Sequence, residues 1–205
     1  MFAAFIHGFI LALGLILPLG AQNVFVFNQG ASQPKLKRAL PVVLTASLSD
    51  TLLILLAVLG VSVLVFTVPV LKTAIFAVGI VFLLYMGWSI WKSDPANMNK
   101  QQAAMPIKKQ VLFALSVSLL NPHAILDTIG VIGTSSLSYH GAEKAMFTAA
   151  CIITSWLWFL GLAITGKAVG SLDHEGRLLR WVNKCSAMMI WGVTVYLVVQ
   201  LIQAL

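Results

Sequence analysis

Six long apolar runs, separated by short polar segments, dominate the sequence. They lie at about 3–27, 39–66, 70–92, 110–135, 144–165 and 181–205. Each run is close to or above the roughly 20 apolar residues that a helix needs to cross a bilayer. None of them alternates between apolar and polar positions as the strands of a membrane barrel do. The pattern therefore predicts an all-α polytopic membrane protein with six transmembrane helices.

The composition excludes a water-soluble domain. The chain has 205 residues, of which 60% are hydrophobic and only 9% are charged, whereas soluble domains have about 25% charged residues. The net charge of +7 comes from Lys and Arg between the apolar runs. That distribution is typical of contact with the anionic heads of a lipid bilayer rather than with nucleic acid. Cys151 and Cys185 lack metal-ligand spacing, so they predict no metal site.

The positive charges also predict the orientation in the membrane. Eleven of the 13 Lys and Arg follow the first, third and fifth runs: Lys35, Lys37, Arg38, Lys92, Lys100, Lys108, Lys109, Lys167, Arg177, Arg180 and Lys184. Only Lys72 and Lys144 lie on the opposite side. Because positively charged loops stay cytoplasmic, we expect a multi-pass protein of the cytoplasmic membrane with both termini outside. Trp88, Trp91 and Trp181 then fall at the cytoplasmic interface, where indoles prefer to lie.

Two proline-containing breaks divide the chain into similar halves. Pro18 and Pro122 each interrupt the first span of a three-span group, and each has polar residues beside it. Since three is an odd number, the second group must be upside down relative to the first. We therefore expect two inverted three-helix repeats, at 1–92 and 110–205, joined by a cytoplasmic linker at 93–109, as in inverted-repeat transporters. Two ordinary proline kinks are the alternative.

Two carboxylates lie inside the predicted spans. Asp50 is about twelve residues into the second run, or roughly 17 Å deep at 1.5 Å per residue, and Asp127 lies within the fourth. An ionised carboxylate at this depth costs on the order of 3 kcal/mol, and no span interior holds a Lys or Arg. His123, four residues before Asp127, shares its helix face. The acids are therefore protonated, held by hydrogen bonds, or await a cation from outside the protein.

Amide side chains stand beside both breaks. The break from Pro18 to Gly20 and the break at Pro122 free backbone groups, which a membrane tolerates only against protein or a wet cavity. Gln22, Asn23 and Asn121 either satisfy these groups, join helices, or bind the α-amino and α-carboxylate groups of a ligand. A zwitterion with an additional positive side chain would match all of these elements.

Two tryptophans lie in the middle of the fifth run, away from the interfaces. Trp156 or Trp158 could line a cation site with the π-face of its ring. Simple packing is the alternative. The sequence has no GxSxG, HExxH or phosphate-binding loop motif. We therefore expect no enzyme activity and no cofactor, and any uphill work would draw on an ion gradient.

Four segments resemble the LysE/ArgO family of basic amino-acid exporters, in the LysE superfamily. They are LPLGAQN at 17–23 with NQG at 28–30, SD at 49–50, LLNPH at 119–123 with DT at 127–128, and LWF at 157–159 with GLA at 161–163. Ala21 stands where the family usually repeats a proline. The resemblance implies secondary active export of L-arginine or L-lysine across a bacterial inner membrane, coupled to protons by antiport. It would place these residues along the pathway: Gln22, Asn23, Asp50, Asn121 and Asp127.

Other functions are left open by the sequence. Related branches of the family export neutral amino acids such as threonine or homoserine. His123 and Asp127, with Asp50, could instead be ligands of a divalent metal in a metal exporter, although such sites usually have more His or Cys. A membrane scaffolding protein, in which the polar residues merely join helices, would transport nothing. Self-association into a homo-oligomer is also open.

Overall fold

The computed structural model describes residues 1–17, 20–61, 69–92, 107–121, 124–125, 128–173 and 176–203. Helices are the only regular secondary structure in these ranges. In chain order the α-helices are α1 (Phe2–Ile16), α2 (Ala21–Ser32), α3 (Leu40–Leu56), α4 (Pro69–Lys92), α5 (Ile107–Leu119), α6 (Gly133–Ser136), α7 (Gly141–Leu172) and α8 (Arg177–Gln203). The all-α prediction is thereby confirmed for the described part of the chain.

Three described helical segments are long and apolar enough to cross a membrane: Leu40–Gly60, Gly141–Leu172 and Arg177–Val199. α1 and α2 form a fourth candidate if the two are taken as one broken span. α4 contains a shorter apolar stretch, Phe76–Lys92. The described residues therefore form a helical membrane protein with three or four candidate spans, and the arrangement of six spans stays a prediction.

The first apolar run is interrupted at its proline-glycine segment. α1 ends at Ile16, α2 begins at Ala21, and the two helices are bent by 81°. Gly20, directly before α2, has an extended backbone with φ −72° and ψ 173°, and Pro18 lies outside the described residues. The chain thus enters α2 at a steep angle to α1, which brings the N-terminal end of α2 into the interior of the protein.

The second interruption lies between α5 and residue 128. α5 ends at Leu119, and helical structure with π-type hydrogen bonding continues over Thr128–Ile132. Pro122, His123 and Asp127, which the sequence places in this break, lie outside the described residues. Predictions that rest on these three residues remain predictions.

α7 packs closely against α2 through small residues. A Cβ added at Gly30 would meet the backbone of Ala163, and one added at Gly166 would meet the backbone carbonyl of Phe27. Gly170, one turn further along α7, approaches the backbone of α2 in the same way. Small residues spaced four apart are typical of membrane helices whose backbones approach closely. This glycine seam fixes the position of α2 on α7.

The N-terminal half of α7 packs along α1 in a similar manner. Gly8 faces the backbone carbonyl of Phe147, and the thiol Sγ of Cys151 lies 3.5 Å from the carbonyl oxygen of Gly8. The 32 residues of α7 therefore support both halves of the bent pair. α4 and α8 form a second pair, in which Gly87 leaves room for the indole of Trp191.

Candidate functional site

A cavity of about 190 Å³ lies where the helices meet. A single water molecule needs only about 10–15 Å³ by the same kind of measure, so the cavity is large enough for a small organic molecule. Its walls are mostly apolar and include Ala12, Leu15, Ile54, Leu83, Ile132, Ile190 and Val193. Its polar lining comes from Gln22, Asn23, Asp50, Asn121, Thr128 and Ser155. An apolar pocket with a few convergent polar groups is the usual form of a ligand site.

Among the described residues of this lining, Asp50 is the charged one. Its Oδ1 accepts a hydrogen bond from Nε2 of Gln22 at 3.1 Å, and its Oδ2 accepts one from Oγ of Ser155 at 2.9 Å. The three side chains come from α3, α2 and α7, so the carboxylate is held where three helices meet. Both donors are neutral, and the contacts orient the carboxylate without cancelling its charge.

No described Lys or Arg forms an ion pair with Asp50. The ion pair found within the described residues joins the N-terminal ammonium of Met1 to Oε1 of Glu143 at 2.9 Å. It does not include Asp50. A carboxylate oxygen has about two acceptor positions, and each oxygen of Asp50 receives one hydrogen bond from the two partners named above. The carboxylate therefore retains acceptor capacity toward the cavity.

The break between α1 and α2 is bridged by Asn23. Its Nδ2 donates a hydrogen bond to the carbonyl oxygen of Ile16 at 2.6 Å, so the amide satisfies a backbone group at the end of α1. Gly20 and Ala21, at the N-terminal end of α2, line the cavity. A helix N-terminus carries a partial positive charge. The cavity thus combines a carboxylate on one element with a helix N-terminus on another.

The predicted site residues divide into three groups. Gln22, Asn23, Asp50 and Asn121 line the cavity together with Gly20. His123, Asp127, Pro18 and Pro122 lie outside the described residues. Trp158 is not part of the cavity lining and packs instead with the cluster around Phe25, Val42 and Phe159.

Ser155, a residue of the cavity lining, was not predicted from the sequence. It is one of several hydroxyl residues in the fifth apolar run and directly follows Thr154, and nothing in the pattern distinguishes it from a helix-packing serine. Trp156 donates a hydrogen bond from Nε1 to Oγ1 of Thr51 at 3.0 Å. Asp50 and Thr51 on α3 therefore pair with Ser155 and Trp156 on α7 in consecutive positions, and the tryptophan fixes the register of these two helices.

We expect Trp156→Phe to lower the free energy of unfolding by about 0.5–1.5 kcal/mol, because it removes the hydrogen bond to Thr51 and keeps most of the ring. Trp158→Phe is the matched control, since the buried Nε1 of Trp158 has no hydrogen-bond partner among the described residues. This control loses ring contacts but no hydrogen bond, so its loss reflects packing alone. Thermal unfolding of the purified variants in detergent measures both. An equal loss from Thr51→Val alone and from Thr51→Val added to Trp156→Phe would contradict the assignment, because the hydrogen bond is already absent in the second case.

Comparison with known proteins identifies the family. The family model described as LysE type translocator matches residues 13–201. The chain is 57% identical over 198 residues to the putative amino-acid transporter YisU of Bacillus subtilis (strain 168), which covers 97% of this chain and 90% of that protein. It is 33% identical over 202 residues to the arginine exporter protein ArgO of Pectobacterium carotovorum subsp. carotovorum (strain PC1). This alignment covers 96% of this chain and 97% of that protein. The ArgO protein of Escherichia coli (strain K12) is 30% identical, with 96% and 94% covered.

No solved structure matches this chain. The family match extends over nearly the whole chain. It includes every described residue of the cavity lining except Ala12. The predicted resemblance is confirmed, and the family is one of transporters rather than of enzymes. The chain belongs to the family of LysE-type translocators.

Proposed function

We propose that the protein exports a cationic amino acid, L-arginine or L-lysine, across the bacterial inner membrane through the cavity at Asp50. The observation that carries the proposal is a carboxylate in an otherwise largely apolar cavity, bonded by two neutral donors and without an ion pair to a described basic residue. The similarity to the ArgO relatives, which are named as arginine exporters, supports this choice of substrate.

The substrate would bind with its two charged ends apart. Its cationic side chain would contact Asp50, where a guanidinium can bond both carboxylate oxygens at once. Its α-carboxylate would lie at the N-terminal end of α2, near Gly20 and Ala21, where the helix dipole favours a negative charge. Asn121 would contribute polar contacts from the opposite break. The apolar walls would contact the methylene groups between the two ends.

Proton antiport would supply the driving force. Moving one positive charge outward against an inside-negative potential costs about 2.3 kcal/mol per 100 mV. Exchange for one inbound proton cancels that electrical cost and adds the contribution of the pH gradient. In this scheme Asp50 and Asp127 hold either the substrate's cation or a proton, and His123 relays or tunes the proton. Asp127 and His123 enter on the sequence prediction, since both lie outside the described residues.

The proposed architecture remains the six-span inverted repeat, with repeats at 1–92 and 110–205, a cytoplasmic linker at 93–109 and both termini outside. The bend between α1 and α2 and the end of α5 near Asn121 are at the two positions where the repeat requires breaks. Both breaks contribute residues to the same cavity. This convergence is what an inverted-repeat transporter needs at its binding site.

Exchange in proteoliposomes tests the substrate. Vesicles that contain the purified protein and unlabelled L-arginine are expected to take up labelled L-arginine by exchange, and external L-lysine should compete. Citrulline is the matched control, since it keeps the length of arginine but has an uncharged side chain, and it should not compete. An imposed pH gradient should drive net arginine movement.

Other outcomes would assign a different substrate. Competition by threonine or homoserine as strong as that by lysine would indicate a neutral amino-acid exporter. Manganese flux without arginine exchange would indicate a metal exporter. The absence of any substrate-dependent flux would favour the scaffolding role.

A further inference from the structure

Two lysines at one end of the α4–α8 pair lie over indole rings. The Nζ of Lys92 is 4.6 Å from the ring centroid of Trp88, and the Nζ of Lys184 is 5.5 Å from that of Trp91. The rings of Trp91 and Trp191 are 5.5 Å apart and join the two helices at this level. We call these five residues the tryptophan-lysine seam.

The described carboxylates are all engaged elsewhere. Asp50 lines the cavity, Glu143 pairs with the N-terminal ammonium, and Asp173 accepts a hydrogen bond from the backbone amide of Leu179 at 2.8 Å. Within the described part of the chain, no carboxylate therefore neutralises Lys92 or Lys184. Among the described residues, the neighbours of these two positive charges are the faces of the indoles.

The exposure of the aromatic rings indicates where the seam lies. Trp88 is 54% exposed, and Trp181 on the adjoining turn of α8 is 64% exposed. Indoles exposed on a membrane protein prefer the level of the lipid headgroups. Arg180 is four residues before Lys184 and so adds positive charge on the same face of α8. We therefore expect the two ammonium groups at the depth of lipid phosphates, with Lys92 over an indole of its own helix and Lys184 reaching from α8 to α4.

We propose that the tryptophan-lysine seam binds the phosphate of an anionic phospholipid, such as phosphatidylglycerol. The lysines supply the charge, and the indoles contact the glycerol and the upper acyl chain. Basic pockets between membrane helices are known sites for anionic headgroups, and each basic residue near the surface contributes about fivefold in affinity. The pair is therefore expected to give a preference of roughly 30-fold for phosphatidylglycerol over a zwitterionic lipid.

Lipid-dependent stability tests the proposal without any transport measurement, so its failure is separate from failure of the exporter assignment. Purified protein in a neutral detergent is titrated with phosphatidylglycerol or phosphatidylcholine, and the thermal midpoint is followed. Phosphatidylglycerol should raise the midpoint at roughly 30-fold lower concentration than phosphatidylcholine. The double variant Lys92→Gln with Lys184→Gln should lose this preference, and Lys92→Arg with Lys184→Arg should retain it.

The matched control is Lys35→Gln with Lys37→Gln, which removes two exposed lysines that have no indole contact among the described residues. This control should keep the preference. If the control loses the preference for phosphatidylglycerol as fully as the seam variant, the preference comes from diffuse surface charge. If inorganic phosphate raises the thermal midpoint as much as phosphatidylglycerol does, the seam is a site for free anions. Either result overturns the proposal, as would equal midpoints for the two lipids in the unmodified protein.

If the glutamine variant fails to fold, the unmodified protein still decides the question. Brominated phosphatidylglycerol should then quench its tryptophan emission at lower concentration than brominated phosphatidylcholine, and the difference should shrink as salt screens the lysines. Equal quenching by the two brominated lipids would overturn the proposal.

Discussion

Asp50→Asn is expected to reduce arginine exchange by roughly 10- to 150-fold while the protein stays folded. The substitution keeps the size of the side chain and removes the negative charge that would hold the substrate's cation. A hydrogen bond to a charged group contributes about 1.5–3 kcal/mol, and each 1.4 kcal/mol is tenfold in affinity. Exchange of labelled arginine in proteoliposomes, with protein amounts matched, measures the effect.

The same variant should be more stable than the unmodified protein. A carboxylate within a membrane-spanning helix costs on the order of 3 kcal/mol, and an asparagine at this position still accepts a hydrogen bond from Ser155 or Gln22. We therefore expect a higher thermal midpoint together with lost exchange. Asp173→Asn is the matched control, because Asp173 lies outside the cavity and interacts with the start of α8. Full arginine exchange by Asp50→Asn would refute the role assigned to this carboxylate.

Gly166→Leu is expected to abolish recovery of folded protein. A Cβ at this position meets the backbone carbonyl of Phe27, and backbone atoms cannot move aside as a flexible side chain can. Ordinary overpacking costs about 1–3 kcal/mol, and here the two helices must separate along the glycine seam, so a loss beyond that range is expected. The measurement is the fraction of monodisperse protein after extraction, followed by thermal unfolding.

Gly161→Leu provides the comparison for this experiment. Gly161 lies on the same helix five positions earlier, and a Cβ there would have nothing within 4 Å among the described residues. Leucine has a higher helix propensity than glycine by roughly 0.5–1 kcal/mol, so this variant should be as stable as the parent or slightly more stable. Equal damage from the two substitutions would mean that α7 does not pack on α2 as described.

Local chemistry explains what the sequence could predict. Proline and glycine near residue 18 act on their own backbone, so the break between α1 and α2 was predictable from adjacent residues. Asp50 stood out because a carboxylate in an apolar run is costly wherever its helix packs. Its position in the cavity lining fits that reasoning.

Tertiary contacts explain what the sequence could not predict. Ser155 reaches Asp50 across 105 positions of the chain, and no pattern within one run specifies that pairing. Trp156 and Trp158 are two positions apart in one helix, and hydropathy does not say which of them contacts α3. The register of α3 on α7 determines this, and it places Trp156 where its Nε1 donates a hydrogen bond to Thr51.

Helix lengths differ from the predicted runs for a simple reason. The fifth run was predicted at 144–165, whereas α7 extends over Gly141–Leu172. Hydropathy marks the part of a helix that contacts hydrocarbon, but backbone hydrogen bonding continues into the polar residues at each end. The same reason explains why α8 begins at Arg177, four residues before the sixth predicted run at 181–205.

The support that α7 gives to both α1 and α2 has a consequence for biogenesis. Gly8 and Cys151 are in contact although they are 143 positions apart, so the N-terminal segments emerge from the ribosome long before their packing surface exists. At roughly 5–20 residues per second, the ribosome needs on the order of 10–30 s to synthesise that surface. Until then the newborn segments must stay in the bilayer with Gly30 and the rest of the packing face of α2 uncovered, and a chaperone or the insertion machinery is best placed to shield them.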